Sequence, residues 1–490
     1  MNSPQYTRRE RKGKLSFRTK LSQGIGSIPD VIKNWVFNTF ALLFYNQVLG
    51  VDAFLVSIAL AIALLFDAVT DPLVGSFSDN MQTRWGRRHP LMLIASFPLG
   101  LAIYAVFVPP EGLGDMQLFS WLLVTTIITR GLMTLYFVPW AAIAPELSDD
   151  YHERTSIMAY RYAMGWTISM ITPMYIFGFV MVDSVVDGTT LTGQLNPASY
   201  PQMAMTCGLI VSVGAILTTL LTWREIPYLR QHVGNMPAFS LRKIYGDFTR
   251  AFQNRQFRLL FISSLLAAAI TGTTTNISIY MLTFFWELEA ADMVWLPLGA
   301  AGALVAFPLV AFAQRRWDKK HILITCYAVM IADSALMINL RFLDVLPENG
   351  DAMLLVILVG QCMVFVTTLL VSGILGNSLS MDVLDDHELR TGHRQEGMFN
   401  AAHSFSTKAM SGIGILMGGL IISLIGFPVG VAPSDVPAQA ITNLGIVMGI
   451  FVPLLHIFPV LILARYNITQ KRHAEIRAAI DQRREQTIGV

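Results

Sequence analysis

Charge is what this sequence has least of. Asp, Glu, Lys and Arg make up 14% of its 490 residues, where soluble proteins carry about 25%. Length alone suggests about three soluble domains of roughly 150 residues, but that many charges cannot wet their surfaces. Cysteine is also scarce. Cys207, Cys326 and Cys362 lie far apart in apolar runs with no CxxC pair, which excludes a disulfide framework or a zinc site. Enzyme signatures are missing too. No GxxxxGK[ST] loop is present to hold ATP phosphates, and His387-Glu388 has no second histidine at metalloprotease spacing. With a net charge of only +2, nothing invites nucleic acid. The basic N-terminus (Arg8 to Lys20) resembles the opening of a signal peptide. However, Asp30 and Lys33 interrupt the first apolar run and no small-residue cleavage site follows, so a retained cytoplasmic arm is expected.

What the chain has instead is apolar length. Hydrophobic residues make up 53% of it and mean hydropathy is +0.52. A span needs about 20 apolar residues to cross roughly 30 Å of hydrocarbon. Twelve segments qualify, near 21–48, 53–78, 89–109, 117–145, 157–182, 202–222, 257–286, 293–313, 321–341, 352–379, 398–426 and 439–464. Turn signals such as Pro109-Pro110-Glu111-Gly112 separate them. Lys and Arg gather in alternate connections: the arm, Arg84–Arg88, Arg154, 223–258, Arg315–Lys320, Arg390–Arg394 and the tail. The other connections hold almost none. By the positive-inside rule both termini are cytoplasmic, as an even span count also requires. The expectation is an all-α, multi-pass plasma-membrane (inner-membrane) protein. It has a basic arm (1–20), a six-helix bundle (21–222), a central connection (223–256), a second six-helix bundle (257–464) and a tail (465–490).

The two halves echo each other. Arg84-Trp85-Gly86-Arg87-Arg88-His89 lies between spans two and three, and Arg316-Trp317-Asp318-Lys319-Lys320-His321 between spans eight and nine. Internal repeats of this kind build secondary transporters, with the substrate site near the midplane. Charged residues at bilayer depth are costly and are functional candidates by default. Asp67 and Asp71 sit four apart on one face of span two, and Pro72 follows them. Two carboxylates that close need a cation, a shared proton or a lysine between them. Lys408 in span eleven is a suitable lysine, as a coupling element or as a static ion pair. Span one carries Asp30, Asn34 and Asn38 as a polar stripe. Span seven carries Thr271, Thr273, Thr274, Thr275, Asn276 and Ser278, and span eleven adds Asn400, Ser404 and Ser411. Arg130 shares a helix face with Thr134 and Phe137, and its planar fork suits a carboxylate or phosphate. Arg84, Arg87 and Arg88 are expected to reach acidic or carbonyl helix ends at a cytoplasmic gate. Gly412-x-Gly414-x-x-x-Gly418 lies inside an apolar run and reads as close helix packing.

Three separated stretches resemble the glycoside–pentoside–hexuronide:cation symporters of the major facilitator superfamily, of which melibiose permease is a member. They are Asp67-Ala-Val-Thr-Asp71-Pro72-Leu-Val-Gly75 with Arg84-Trp85-Gly86-Arg87-Arg88, then Pro139-Trp140 through Arg161, and Asp382 through Gly397 before Lys408. The resemblance implies a major facilitator fold and coupling to Na⁺ or H⁺ with no other cofactor. It also implies a cation site of Asp67, Thr70, Asp71 and Thr134, with Arg161 and Lys408 as nearby basic residues. Phe137 stands where melibiose permease has its span-four aspartate. Asp30 and Trp140 each lie one residue short of the family's sugar aspartate and stacking tryptophan positions. The function expected is symport of a sugar-type solute, a glycoside or hexuronide, by a monomer in the lipid bilayer. A lysolipid-like amphiphile as substrate, and a non-transporting sensor or scaffold, are the alternatives.

Overall fold

Long apolar runs closed by side-chain caps build the molecule. The computed structural model describes residues 6–7, 13–186, 189–229, 231–232, 249, 252–391, 396–431 and 433–488. Helices α1 (Phe17–Ile25) and α2 (Ile28–Val36) come first, and two π-helical turns, Phe37–Ala41 and Phe44–Val48, continue them. Then come α3 (Ala53–Asn80), α4 (His89–Phe107), α5 (Asp115–Leu147), α6 (Tyr151–Tyr175) and α7 (Ser199–Leu221). The second half holds α8 (Arg255–Tyr280), α9 (Ala290–Met293), α10 (Gly302–Ala313), α11 (Lys319–Phe342), α12 (Ala352–Thr391), α13 (Glu396–Leu424), α14 (Ala438–Ile446), α15 (Val452–Leu463) and α16 (Gln470–Ile488). Two short antiparallel ribbons lie outside the helices. One pairs β1 (Tyr6–Thr7) with β4 (Gln231–His232), and the other pairs β2 (Ser184–Val186) with β3 (Thr189–Leu191).

Among the described residues, eleven helical stretches are long and apolar enough to cross a membrane. The first expected span, 21–48, is not one long helix, because a turn at Gly26–Ser27 separates α1 from α2, which winds on through two π-helical turns to Val48. Two boundaries also differ. The helix expected from 157 begins at Tyr151, because the Asp150 carboxylate caps it by accepting the Glu153 N–H at 2.8 Å. The helix expected to stop at 379 runs on to Thr391, through a stretch too charged to read as a span. Val383 and Leu384 join one buried cluster with Ile476 and Ile480 of α16, and ion pairs to Asp382, Asp385 and Asp386 offset the burial of those acids.

Without a hydrophobic drive between helices in lipid, small residues must let the backbones close up. Gly100 of α4 lies so near Gly208 of α7 that an added Cβ would meet the Gly208 carbonyl oxygen at 2.3 Å. Gly414 of α13 packs on α8, where a Cβ would stand 2.1 Å from the Ala269 oxygen, as the glycine spacing implied. The outward faces carry exposed apolar side chains such as Ile94, Phe179 and Leu304, as lipid contact requires.

The two halves meet along α3 and α13. At one end, Asp52 caps α3 through the Phe54 and Leu55 N–H groups and also accepts the Ser423 hydroxyl at 2.6 Å. Close by, Gln47 donates to the Pro428 carbonyl at 2.9 Å and Tyr280 donates to Asn46 at 2.8 Å. The first helix, α1, and the last, α16, pack at the opposite end. There Thr19 bonds Glu225 at 2.6 Å, Asn254 bonds Asp386 at 2.9 Å and His473 meets Asp385 at 3.1 Å.

Candidate functional site

The polar residues of α2, α3, α5, α8 and α13 converge on one central cavity of about 350 Å³. Asp30, Lys33, Asn34, Asn38, Asp67, Asp71, Arg130, Thr134, Phe137, Asn276 and Lys408 line it, with Thr271, Thr275, Thr407 and Ser411. At its floor the i, i+4 spacing on α3 turns both carboxylates to one side. Pro72 directly after them donates no N–H, so the helix there is one hydrogen bond short. Thr134 lies 2.8 Å from Asp67 and 3.0 Å from Asp71, placing one hydroxyl between the two. The Lys408 ammonium bridges them from α13, 3.1 Å from Asp67 and in direct contact with Asp71. Arg130 approaches Asp67 at 3.4 Å. Above them Lys33 lies 3.7 Å from Asp30, which also accepts from Asn34 at 2.9 Å.

The ammonium thus fills the space between the two carboxylates and the threonine hydroxyl. Two carboxylates and a hydroxyl are the oxygen donors that Na⁺ takes, and either carboxylate can hold a proton. Among the described residues, no group of three or more His, Cys, Asp and Glu side chains is arranged to hold a metal ion. The cavity's formal charges balance, three acids (Asp30, Asp67, Asp71) against three bases (Lys33, Arg130, Lys408).

Several expected residues stand elsewhere. Thr70 donates to the Asp67 backbone carbonyl at 3.3 Å and does not line the cavity, so its hydroxyl serves the helix and not the carboxylate pair. Arg161 lies flat over the Trp140 ring, 3.5 Å from its centroid, away from the acidic pair. Trp140 itself is buried, packed so tightly on Gly26 that a Cβ there would sit 1.9 Å from its indole nitrogen. Ser404 is exposed and outside the cavity lining, and the Asn400 side chain falls outside the described residues. Lys33, one of the charged residues expected within a span, is buried opposite Asp30. Thr407, which also lines the cavity, escaped the sequence-based set. Thr407 looks like any helical threonine in sequence.

At the end carrying the termini, Arg87 contacts Glu146, and Arg88 lies 2.8 Å from Glu146 and 3.2 Å from Asp79. Burial pulls the Arg88 guanidinium below its ordinary pKa while Glu146 pushes it back up. Arg84 instead lies over Trp85. The second half repeats the device, with Lys319 at the start of α11 meeting Asp382 near the end of α12 at 2.8 Å. The acidic stretch there is an ion-pair network, in which Arg390 holds Asp386 and both His473 and Arg477 hold Asp385.

Residues 22–470 match the profile of the family described as MFS/sugar transport protein. The chain belongs to this family. It is a multi-pass membrane transporter of sugar-type solutes and not an enzyme. Curated relatives include an uncharacterized symporter of Synechocystis, 26% identical over 96% of this chain and 98% of the relative. A putative glycoside/cation symporter of Escherichia coli is 22% identical over 94% and 93%. A sodium-dependent lysophosphatidylcholine symporter of mouse is 26% identical over 83% and 77%. Among solved structures, a nucleoside transporter superposes with a TM-score of 0.62 at 13% identity, covering 92% of this chain and all of that one, a likeness of fold alone.

Proposed function

We propose that this transporter couples uptake of a glycoside or hexuronide to Na⁺ or H⁺, by alternating access between its two halves. The observation that carries the proposal is the Asp67–Thr134–Asp71 cluster bridged by Lys408. A cation entering that cluster displaces the ammonium, which then repels it and must swing towards the substrate or towards Asp30. The swing links ion occupancy to the shape of the cavity. Arithmetic favours an acidic sugar. Three acids and three bases sum to zero, one bound cation makes +1, and a carboxylate on the substrate restores neutrality. The likeness to a glycoside/cation symporter supports the same substrate class.

The α2 helix with its π-helical continuation to Val48 supports a twelfth span, and the basic connections support cytoplasmic termini. Cross-half bonds gathered at the end away from the termini fit a transporter facing inward. A second reading, transport of a lysolipid-like amphiphile, draws on an apolar groove of about 710 Å³ between α6 and the α9 region, lined by Ile171, Met174, Phe179, Val294 and Trp295. It also draws on the mouse relative. The groove carries one acid, Asp183, while the charged cavity carries six ionisable groups, so the sugar reading is preferred.

The test is Asp71→Asn in proteoliposomes under an imposed Na⁺ or proton gradient, with a panel of hexuronides and glycosides. Gradient-driven accumulation collapses while the protein inserts and purifies normally. Undiminished accumulation by Asp71→Asn would falsify this assignment.

A further inference from the structure

A second cavity, of about 370 Å³, opens off the central one inside the C-terminal half. Thr271, Thr407 and Ser411 line both, so the two spaces meet at that threshold. The side cavity is bounded by α8, α11, α12, α13 and α15. It runs towards the end bearing the termini, where Leu260 and Leu463 line it. Its existence depends on α12. Gly373 and Gly376, one turn apart, face it, and a Cβ added to either meets nothing within 4 Å. Ordinary side chains at these two positions would fill the space.

The chemistry of the lining differs from that of the central site. Among the described residues, no Asp, Glu, Lys or Arg lines it. It offers the Tyr327 ring and hydroxyl, the Asn377 amide, the Ser372 and Ser380 hydroxyls and the His456 imidazole, set among apolar surfaces such as Met330 and Leu369. An aromatic face beside uncharged donors and acceptors suits a neutral, hydroxylated ring. At the threshold, the Thr407 hydroxyl is buried without a hydrogen-bond partner among the described residues. Such an orphan is costly unless a ligand completes it. Each cavity alone sits near the bottom of the roughly 300–1,000 Å³ range of small-molecule sites. Joined, they suit a ligand of two rings.

We propose that this side cavity is a second substrate subsite taking a neutral sugar ring, so that the transported species is a glycoside whose charged ring occupies the central cavity and whose neutral ring passes Thr407 into the C-terminal half. The proposal rests on the sugar-type reading above. It adds to that reading the size of the substrate and the direction in which the second ring lies.

The test compares D-glucuronate, a glucosyl-glucuronate disaccharide and octyl glucuronide, by equilibrium binding to purified wild type, Gly373→Trp and Gly376→Leu. The disaccharide is expected to bind wild type at least ten times more tightly than glucuronate. Both glycine variants should erase that gain and leave glucuronate binding within about twofold of wild type. Asn377→Leu should erase part of the gain while keeping the cavity's size. Glucuronate binding with no disaccharide advantage, or an advantage that survives both filling variants, overturns the subsite and leaves the central sugar site standing. An octyl glucuronide advantage that replaces the disaccharide's, and is lost in the filled variants, overturns the neutral-ring assignment in favour of an alkyl slot. If no sugar binds wild type, the sugar reading itself falls and the subsite with it.

Discussion

Replacing Lys408 by Met keeps the side chain's length and removes its charge, which isolates what the ammonium does. In the folded protein it lies 3.1 Å from Asp67 and contacts Asp71, with the lysine 32% exposed and the aspartates 9% and 25% exposed. At an effective dielectric of about 20, unit charges 4 Å apart attract by about 4 kcal/mol. Water reaching a third of the lysine cuts that to roughly 2 kcal/mol. Without the lysine, Asp71 has no ion-pair partner among the described residues, while Asp67 keeps Arg130 at 3.4 Å and the nearby charge of Lys33. In Na⁺-free buffer near neutral pH, Lys408→Met should therefore be less stable by roughly 2 kcal/mol, because two carboxylates now repel. The same change removes the competitor for the cation. A competitor worth roughly 2 kcal/mol corresponds to a cation affinity about 30-fold tighter. Thermal melts followed by tryptophan fluorescence, titrated with NaCl against choline chloride and repeated at lower pH, read both effects through ligand-linked stabilisation. Na⁺ rescue identifies sodium as the coupling ion, and rescue by acid alone identifies the proton. Wild-type stability together with an unchanged response to both ions would refute the idea that Lys408 competes for this site.

Glu146→Gln removes the acid shared by Arg87 and Arg88 and leaves two confined guanidiniums. It should cost about 2–4 kcal/mol, seen as a lower melting temperature that Glu146→Asp restores in part. Gly419→Leu forces a side chain into α3, where even a Cβ would stand 1.9 Å from the Ser57 hydroxyl. It should wedge the halves apart at the end away from the termini, so that a cysteine at Asn38 reacts with an impermeant maleimide added outside. Continued protection of that cysteine in a folded Gly419→Leu protein contradicts the inward-facing assignment. Arg130→Gln should weaken binding of an acidic sugar by more than tenfold while sparing a neutral one. Equal loss of both would show that Arg130 serves only Asp67.

Sequence periodicity and charge already determined much of this protein. Apolar runs of span length fix helices, because only a helix satisfies its own backbone in lipid. The alternation of basic connections predicts an orientation with both termini in the cytoplasm. The four-residue spacing of Asp67 and Asp71 fixes a paired carboxylate on one face, whatever packs opposite. Local geometry supplies all of this. Tertiary structure decided the partners. That Lys408, 337 residues away from Asp71, enters between the aspartates depends on α3 meeting α13. That Thr70 turns back to its own helix while Thr134 reaches both acids depends on side-chain direction after packing. The stretch from Asp382 to Thr391 reads as a charged cluster at a helix end, and that the helix runs on to Thr391 depends on packing against α16, a contact no window along the chain contains. The side cavity is the furthest from the sequence. Gly373 and Gly376 look like ordinary membrane-helix glycines, and only the arrangement of five helices around them turns two missing side chains into a space.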